Sequence, residues 1–373
     1  QGGYVASIAL AAPLVVSESV GTLLQTYLKS RRRLKEAALF RFLKDILPYL
    51  SFTALIYTER SLAPGIIAMT ATSWLVVGVM WLRMGREVGP PRFRWSLVRG
   101  YLRFSWPFAA MSVTEGNLAS VPRLVVPYFL GPQALGAFNI VYVLARFLAS
   151  TNEPLLVYLN SHLPKLWDGG QRVRAAFIWE RCEIYFLVVA SCGALLLSGA
   201  FGAVLEVGFP RIQQALGSHQ TLLLASLGIF GLLYGLNQLT WVAAKLEERP
   251  VLILISSVVA LGLDIPLTLS MTRHFGLPGT AVAQVLSVAA VQALLRAALA
   301  LRPSSGFVRS TAKTLAAATL VGLGLAAIPK AGFLAILASS MVAVTLFALL
   351  IYLSRAVTVG EISALVLRRA GSR

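Results

Sequence analysis

Stretches of about twenty apolar residues recur along this chain, and they limit its possible folds more than any other feature. The run from Val251 to Leu263 holds no ionisable side chain. A helix needs roughly 20 such residues to cross the hydrocarbon of a bilayer. Eleven segments qualify, at 4–28, 37–58, 64–84, 104–128, 134–160, 180–205, 221–243, 251–271, 279–301, 311–329 and 333–353. The fifth is interrupted by the polar residues Asn139, Arg146, Asn152 and Glu153. Backbone groups in hydrocarbon must be hydrogen-bonded within the protein, so these spans read as helices. A transmembrane barrel would show short alternating strands instead.

Composition agrees. Hydrophobic residues make up 57% of the 373 and charged residues only 13%, with a mean hydropathy of +0.75. Soluble domains carry about 25% charged residues. An ordinary soluble protein, a disordered chain and a coiled coil are therefore excluded. The expected fold class is an all-α polytopic membrane protein with about eleven transmembrane helices.

The net charge is +18, from 33 basic and 15 acidic residues. In a soluble protein that would point to nucleic acid. Here topology explains it, because cytoplasmic loops collect Lys and Arg. Alternate loops carry Lys29–Lys35, Arg83–Arg103, Lys165–Arg181, Lys245–Arg249, Arg302–Lys313 and Arg355–Arg373. The intervening loops hold only Arg60, Arg211, Arg273 and Lys330. The split is twenty-four to four and places the first set, with the C-terminus, in the cytoplasm. No nucleic-acid partner is expected.

No loop exceeds about twenty residues, which leaves no room for a soluble catalytic domain. Gly-rich phosphate loops, nucleophile elbows and metal-binding helix signatures are missing from the sequence. Cys182 and Cys192 form no disulfide framework, and His162, His219 and His274 are scattered. A non-enzyme without metal or cofactor is expected. The chain opens on Gln1 and is apolar at once, which reads as a fragment lacking its original start.

Ionisable groups at membrane depth are costly and are functional candidates by default. Glu18 lies in the first span, Glu115 and Arg123 in the fourth, Arg146 and Glu153 in the fifth, and Asp264 in the eighth. Glu115 and Arg123 are eight residues apart, and Arg146 and Glu153 seven. Each spacing is about two turns, so each pair shares a helix face. The fourth and fifth spans are joined by the short Gly131-Pro132-Gln133 link, which makes them expected antiparallel neighbours. Glu115 would then pair with Arg146, and Arg123 with a nearby acid. The plainer alternative is that such pairs only fix helix packing. Gln25, Asn117, Asn139, Asn152, Asn237, Gln238 and Gln284 add polar amides. Arg296 reads as snorkelling at a cytoplasmic end, and Arg41, Lys44 and Asp45 as an interfacial turn. Pro122, Pro154 and Pro266 place kinks beside charged positions, as in the broken helices of transporters.

One segment carries a family resemblance. YLRFSWPFAAMS (101–112), NLASVPRLVVPYFLGPQALGAFNIVYVLARFL (117–148) and LPKL (163–166) resemble the start of the second half of a polysaccharide (O-antigen type) flippase. These flippases belong to the multidrug/oligosaccharidyl-lipid/polysaccharide exporter superfamily. The matching positions are Pro107, Arg123, Leu130-Gly131, Leu135-Gly136, Phe138 and Leu163-Pro164. Relatives often carry an acid just before that arginine, where this chain has Pro122. The basic turn Lys29–Lys35 also resembles the turn after the family's fourth helix.

The resemblance implies a two-lobed bundle lacking its first three helices. Residues 1–88 would be the remainder of the N-terminal lobe, 89–305 the C-terminal lobe, and 306–373 two additional helices and a cytoplasmic tail. It implies export of an undecaprenyl-diphosphate-linked oligosaccharide across the bacterial inner membrane by alternating access. Arg123, Arg146, Asn117 and Asn139 would bind the headgroup in a wet passage. Membrane lipids would surround the tail, and a cation or proton gradient would drive transport through Glu115, Glu153, Asp264 or Glu18. The rival reading is a cation-coupled multidrug exporter of the same superfamily. A membrane glycosyltransferase, polymerase or ligase would need a larger outer loop than Glu206–Gln220.

Overall fold

The computed structural model describes residues 2–31, 33–59, 62–88, 95–208, 220–300, 304–327 and 333–353. All regular structure among them is helical. The helices are α1 (Gly2–Ser30), α2 (Leu34–Glu59), α3 (Leu62–Val88), α4 (Trp95–Leu130), α5 (Pro132–Ser150), α6 (Glu153–Asp168), α7 (Arg172–Gly208), α8 (Gln220–Leu246), α9 (Pro250–Ala298), α10 (Ser305–Ala327) and α11 (Phe333–Leu353). By length and composition, four stretches among the described residues suffice to cross a membrane: Ala63–Met84, Pro132–Asp168, Gln220–Leu246 and Pro250–Ala298. The chain is a multi-pass helical membrane protein.

Two departures from the expected spans have local causes. The fifth span breaks into α5 and α6. The Thr151 and Asn152 amides tighten onto Leu148 and Ala149, and Pro154 has no N–H to extend the ladder. The eighth and ninth spans form one 49-residue helical stretch with a non-helical Gly276 at φ 65°. At about 1.5 Å per residue, a straight helix would hold Asp264 and Gln284 roughly 30 Å apart. They are instead hydrogen-bonded at 2.5 Å, and Thr272 meets Thr280 at 2.8 Å. The stretch therefore doubles back at Gly276 as an antiparallel hairpin, and positive φ makes glycine the suitable residue there.

The chain divides into two compact units, Gln1–Val98 and Arg99–Arg373. In the first, α1 and α2 both pack on α3 around Leu24, Leu28, Phe40, Val77, Met80 and Met84. In the second, α8 is the central post. Eighteen of its 27 residues are buried, and it packs against α5, α6, α7 and both limbs of α9. A transmembrane helix hydrophobic all round is what this central position requires. Helices α10 and α11 pack on α7 through Leu195, Ala317, Val321, Ala343 and Phe347. The start of α10 is held by α7: Glu180 accepts from the Ser304 N–H (2.6 Å) and hydroxyl (2.7 Å), and Ser304 caps Phe307.

Candidate functional site

The α5–α8 contact sets the geometry around Arg146. Helix α8 carries Gly231-Leu-Leu-Tyr-Gly235, a glycine pair spaced four apart that lets another backbone approach closely. A Cβ at Gly231 would run into the Ala145 carbonyl, and one at Gly235 into the Phe186 ring. The pairings Tyr142 with Phe230, Ala145 with Gly231 and Asn152 with Gln238 advance together, so α5 and α8 run parallel. Asn152 locks the register, donating to the Gly235 carbonyl (2.8 Å) and to Gln238 Oε1 (2.9 Å).

Arg146 follows Ala145 and leaves the interface exposed. Its Cζ lies 4.3 Å from the centroid of the Tyr234 ring. Glu115 acts on Arg146 and on Lys245 through its charge, and among the described residues it forms no contact ion pair with either. Helix α5 packs on α8 and α7. Lys245 sits over the Phe108 ring at 5.5 Å. Beside Glu115, Thr114, Leu118, Tyr234, Asn237, Trp241 and Ser257 line a cavity of about 20 Å³. That volume holds about one water molecule, and two buried polar atoms facing this region, Asn237 Oδ1 and Trp241 Nε1, have no protein partner among the described residues.

Asp264 is wholly buried within the α9 hairpin. Its Oδ1 accepts from Gln284 Nε2 (2.5 Å), Thr268 Oγ1 (3.1 Å) and Ser287 Oγ (3.2 Å). Its Oδ2 and Gln284 Oε1 have no partner among the described residues. These are neutral donors around a carboxylate, with no counter-ion in contact among the described residues.

The remaining candidates are dispersed. Arg123 is exposed on α4 with no ion pair among the described residues. Asn139 is half-buried on α5, and Glu153 is half-buried and engaged at the start of α6. The Asn117 side chain lies outside the described residues. Glu18, in the other unit, is 51% exposed and pairs with Lys44 at 2.5 Å, whereas Lys44 is only 7% exposed. Lys44 therefore belongs to the interior of α2 and not to an interfacial turn. Its stem lies across Gly21, where a Cβ would stand 3.0 Å from Lys44 Cδ.

Sequence reasoning missed a second buried charge cluster. Glu183 on α7 is fully buried, forms an ion pair with Arg296, and accepts from Thr240 Oγ1 at 3.2 Å. Arg296 lies over the Trp179 ring (4.7 Å) and the Phe307 ring (5.3 Å). The snorkelling expected of Arg296 is replaced by this pairing, because Glu183 supplies a counter-charge within reach. A carboxylate in mid-helix, at the edge of an apolar run, was the available signal.

Among solved structures, the chain is similar to the lipid II flippase MurJ in an inward closed conformation, with a TM-score of 0.67 and 12% identity. The likeness covers 92% of this chain and 73% of that one. No family model and no curated protein matches the sequence. At that identity the likeness is one of architecture, and it establishes the all-helical, multi-pass fold.

Proposed function

We propose that this protein is a flippase that carries a lipid-linked oligosaccharide across the bacterial inner membrane, for surface polysaccharide. The substrate is an undecaprenyl-diphosphate-linked repeat unit, moved by alternating access, and the C-terminus is cytoplasmic. One observation carries the reading. Arg146 lies within a membrane span, exposed, mounted on an aromatic face and without an ion-pair partner among the described residues. A guanidinium left available in hydrocarbon needs a reason. Its planar fork suits the paired oxygens of a diphosphate. Arg123, also exposed and unpaired among the described residues, is the second contact, and Asn117 and Asn139, on the same two helices, are assigned to the sugar or phosphate oxygens. The fold likeness to a lipid II flippase supports a lipid-linked cargo.

The coupling ion binds at a carboxylate. Asp264 is our first assignment among Glu115, Glu153, Asp264 and Glu18, since its Oδ2 is buried and unpartnered among the described residues. The same acidic groups favour the rival reading, a cation-coupled drug exporter. The test is genetic. Arg123→Ala or Arg146→Ala abolishes surface polysaccharide while the protein remains at normal level in the membrane. Normal polysaccharide in both variants refutes the flippase reading, and drug resistance on overexpression with unchanged glycan supports the exporter.

A further inference from the structure

Arg146 is a long, rotatable side chain, and a diphosphate clamp needs its fork held in one plane. The structure provides one hard surface against it. The Tyr234 ring lies beneath the guanidinium at 4.3 Å, well within the roughly 6 Å over which a ring face attracts a cation. The ring itself is immobilised. It stacks on Phe230 at 5.8 Å and meets Trp241 edge-on at 6.5 Å, and Phe230 continues through Tyr142 (5.4 Å) to Phe138 (5.7 Å). These five rings are all buried and span α5 and α8. Gly231 brings the two backbones together one residue from Arg146, at Ala145.

We propose that Tyr234 is a positioning residue for the anion site: its ring and hydroxyl together hold the Arg146 guanidinium and leave most of its N–H donors free for phosphate oxygens. This rests on the diphosphate reading of Arg146 given above. A ring face uses none of a guanidinium's five donors, and the Tyr234 hydroxyl accepts a single hydrogen bond from Arg146, which leaves the rest of the fork available. A carboxylate partner would have held Arg146 equally well but would have consumed the fork. A ring makes the cation stationary and still available, and it lowers the side-chain entropy lost on binding.

The test replaces Tyr234 by Phe and then by phenylalanines carrying one, two and three ring fluorines, introduced by nonsense suppression. Shape is nearly constant, so folding is retained, while the negative ring face is progressively removed. The probe is undecaprenyl diphosphate bound to the purified protein in nanodiscs, with thermal stability measured alongside. Tyr234→Phe removes the hydroxyl bonded to Arg146, keeps the ring face, and is the reference for the series. The fluorinated series is expected to fall stepwise to about tenfold weaker with stability unchanged. In an Arg146→Ala background the fluorinated series is expected to be flat. Equal affinity across the series, or a fall that persists without Arg146, overturns the positioning role. If Arg146→Ala alone binds as well as wild type, the diphosphate reading fails and the positioning role fails with it. A weakened Arg146→Ala beside an unaffected series sinks only the role of Tyr234.

Discussion

Breaking the Glu183–Arg296 pair from its two sides should have unequal consequences. Arg296 stands two residues before the end of α9, and its side chain is 19% exposed. Freed of its partner, it can swing towards the nearby end of α9 along Trp179 and Phe307. Glu183 is eleven residues into α7 and 0% exposed, with Thr240 as its other donor. It has no route to water. Glu183→Gln keeps an oxygen for Thr240 and Arg296 and exchanges an ion pair for a charge-to-neutral hydrogen bond, a loss of about 1 kcal/mol. Arg296→Met preserves volume over the two rings and strands a buried carboxylate, a loss of about 3–5 kcal/mol.

At about 2.1 cal/mol/K of unfolding entropy per residue, or roughly 1.3 °C per kcal/mol for 373 residues, Glu183→Gln should lower the melting point by about 1 °C and Arg296→Met by roughly 4–6 °C. The assay is the fraction of monodisperse protein left in detergent after stepwise heating, read by size exclusion. The double variant Glu183→Leu with Arg296→Met should recover most of the Arg296→Met loss, since apolar replacements of a buried pair are often neutral. Equal losses from the two single variants, or no recovery in the double, would refute the argument that the pair's energetics lie in the unreachable carboxylate.

Two further outcomes are open to measurement. Asp264→Asn retains an oxygen for Gln284, Thr268 and Ser287 and should leave thermal stability within about 1 kcal/mol, yet stop cation-dependent transport. Asp264→Leu removes that acceptor and should cost about 1–3 kcal/mol as well. Gly231→Ala drives a methyl into the Ala145 carbonyl and should destabilise by about 1–3 kcal/mol. Gly78→Ala, where an added Cβ meets nothing within 4 Å, should be neutral or slightly stabilising in the same heating assay.

The helix count was legible because hydrocarbon thickness imposes a length and unsatisfied backbone is intolerable there. The break after Ser150 was half legible, since Asn152, Glu153 and Pro154 marked the right place in the fifth span. What the sequence hid were the partners. Glu18 meets Lys44 across 26 positions and Glu183 meets Arg296 across 113. Such meetings depend on the rotation and register of separate helices, which hydropathy does not encode. A position near a helix end reads as a snorkel until an acid on another helix is known to face it, as Arg296 illustrates. The one overlooked local signal was Gly231-Leu-Leu-Tyr-Gly235, whose spacing announces a close helix contact.

Those partners also change the balance of charge on which a functional reading turns. Counted along the chain, the membrane acids Glu18, Glu115, Glu153 and Asp264 outnumber the arginines Arg123 and Arg146, a poor prospect for an anionic cargo. Placed in space, the acids are accounted for. Glu18 has the Lys44 ammonium, Asp264 sits in a ring of hydroxyl and amide donors, Glu153 is engaged, and Glu115 lies in the field of Arg146 and Lys245. The two arginines are both exposed and have no ion pair among the described residues. What decides the affinity of a site is the charge left available to a ligand, since a paired group contributes little net field beyond its partner. By that measure the accessible charge on α4 and α5 is cationic, the sign that the proposed diphosphate cargo requires.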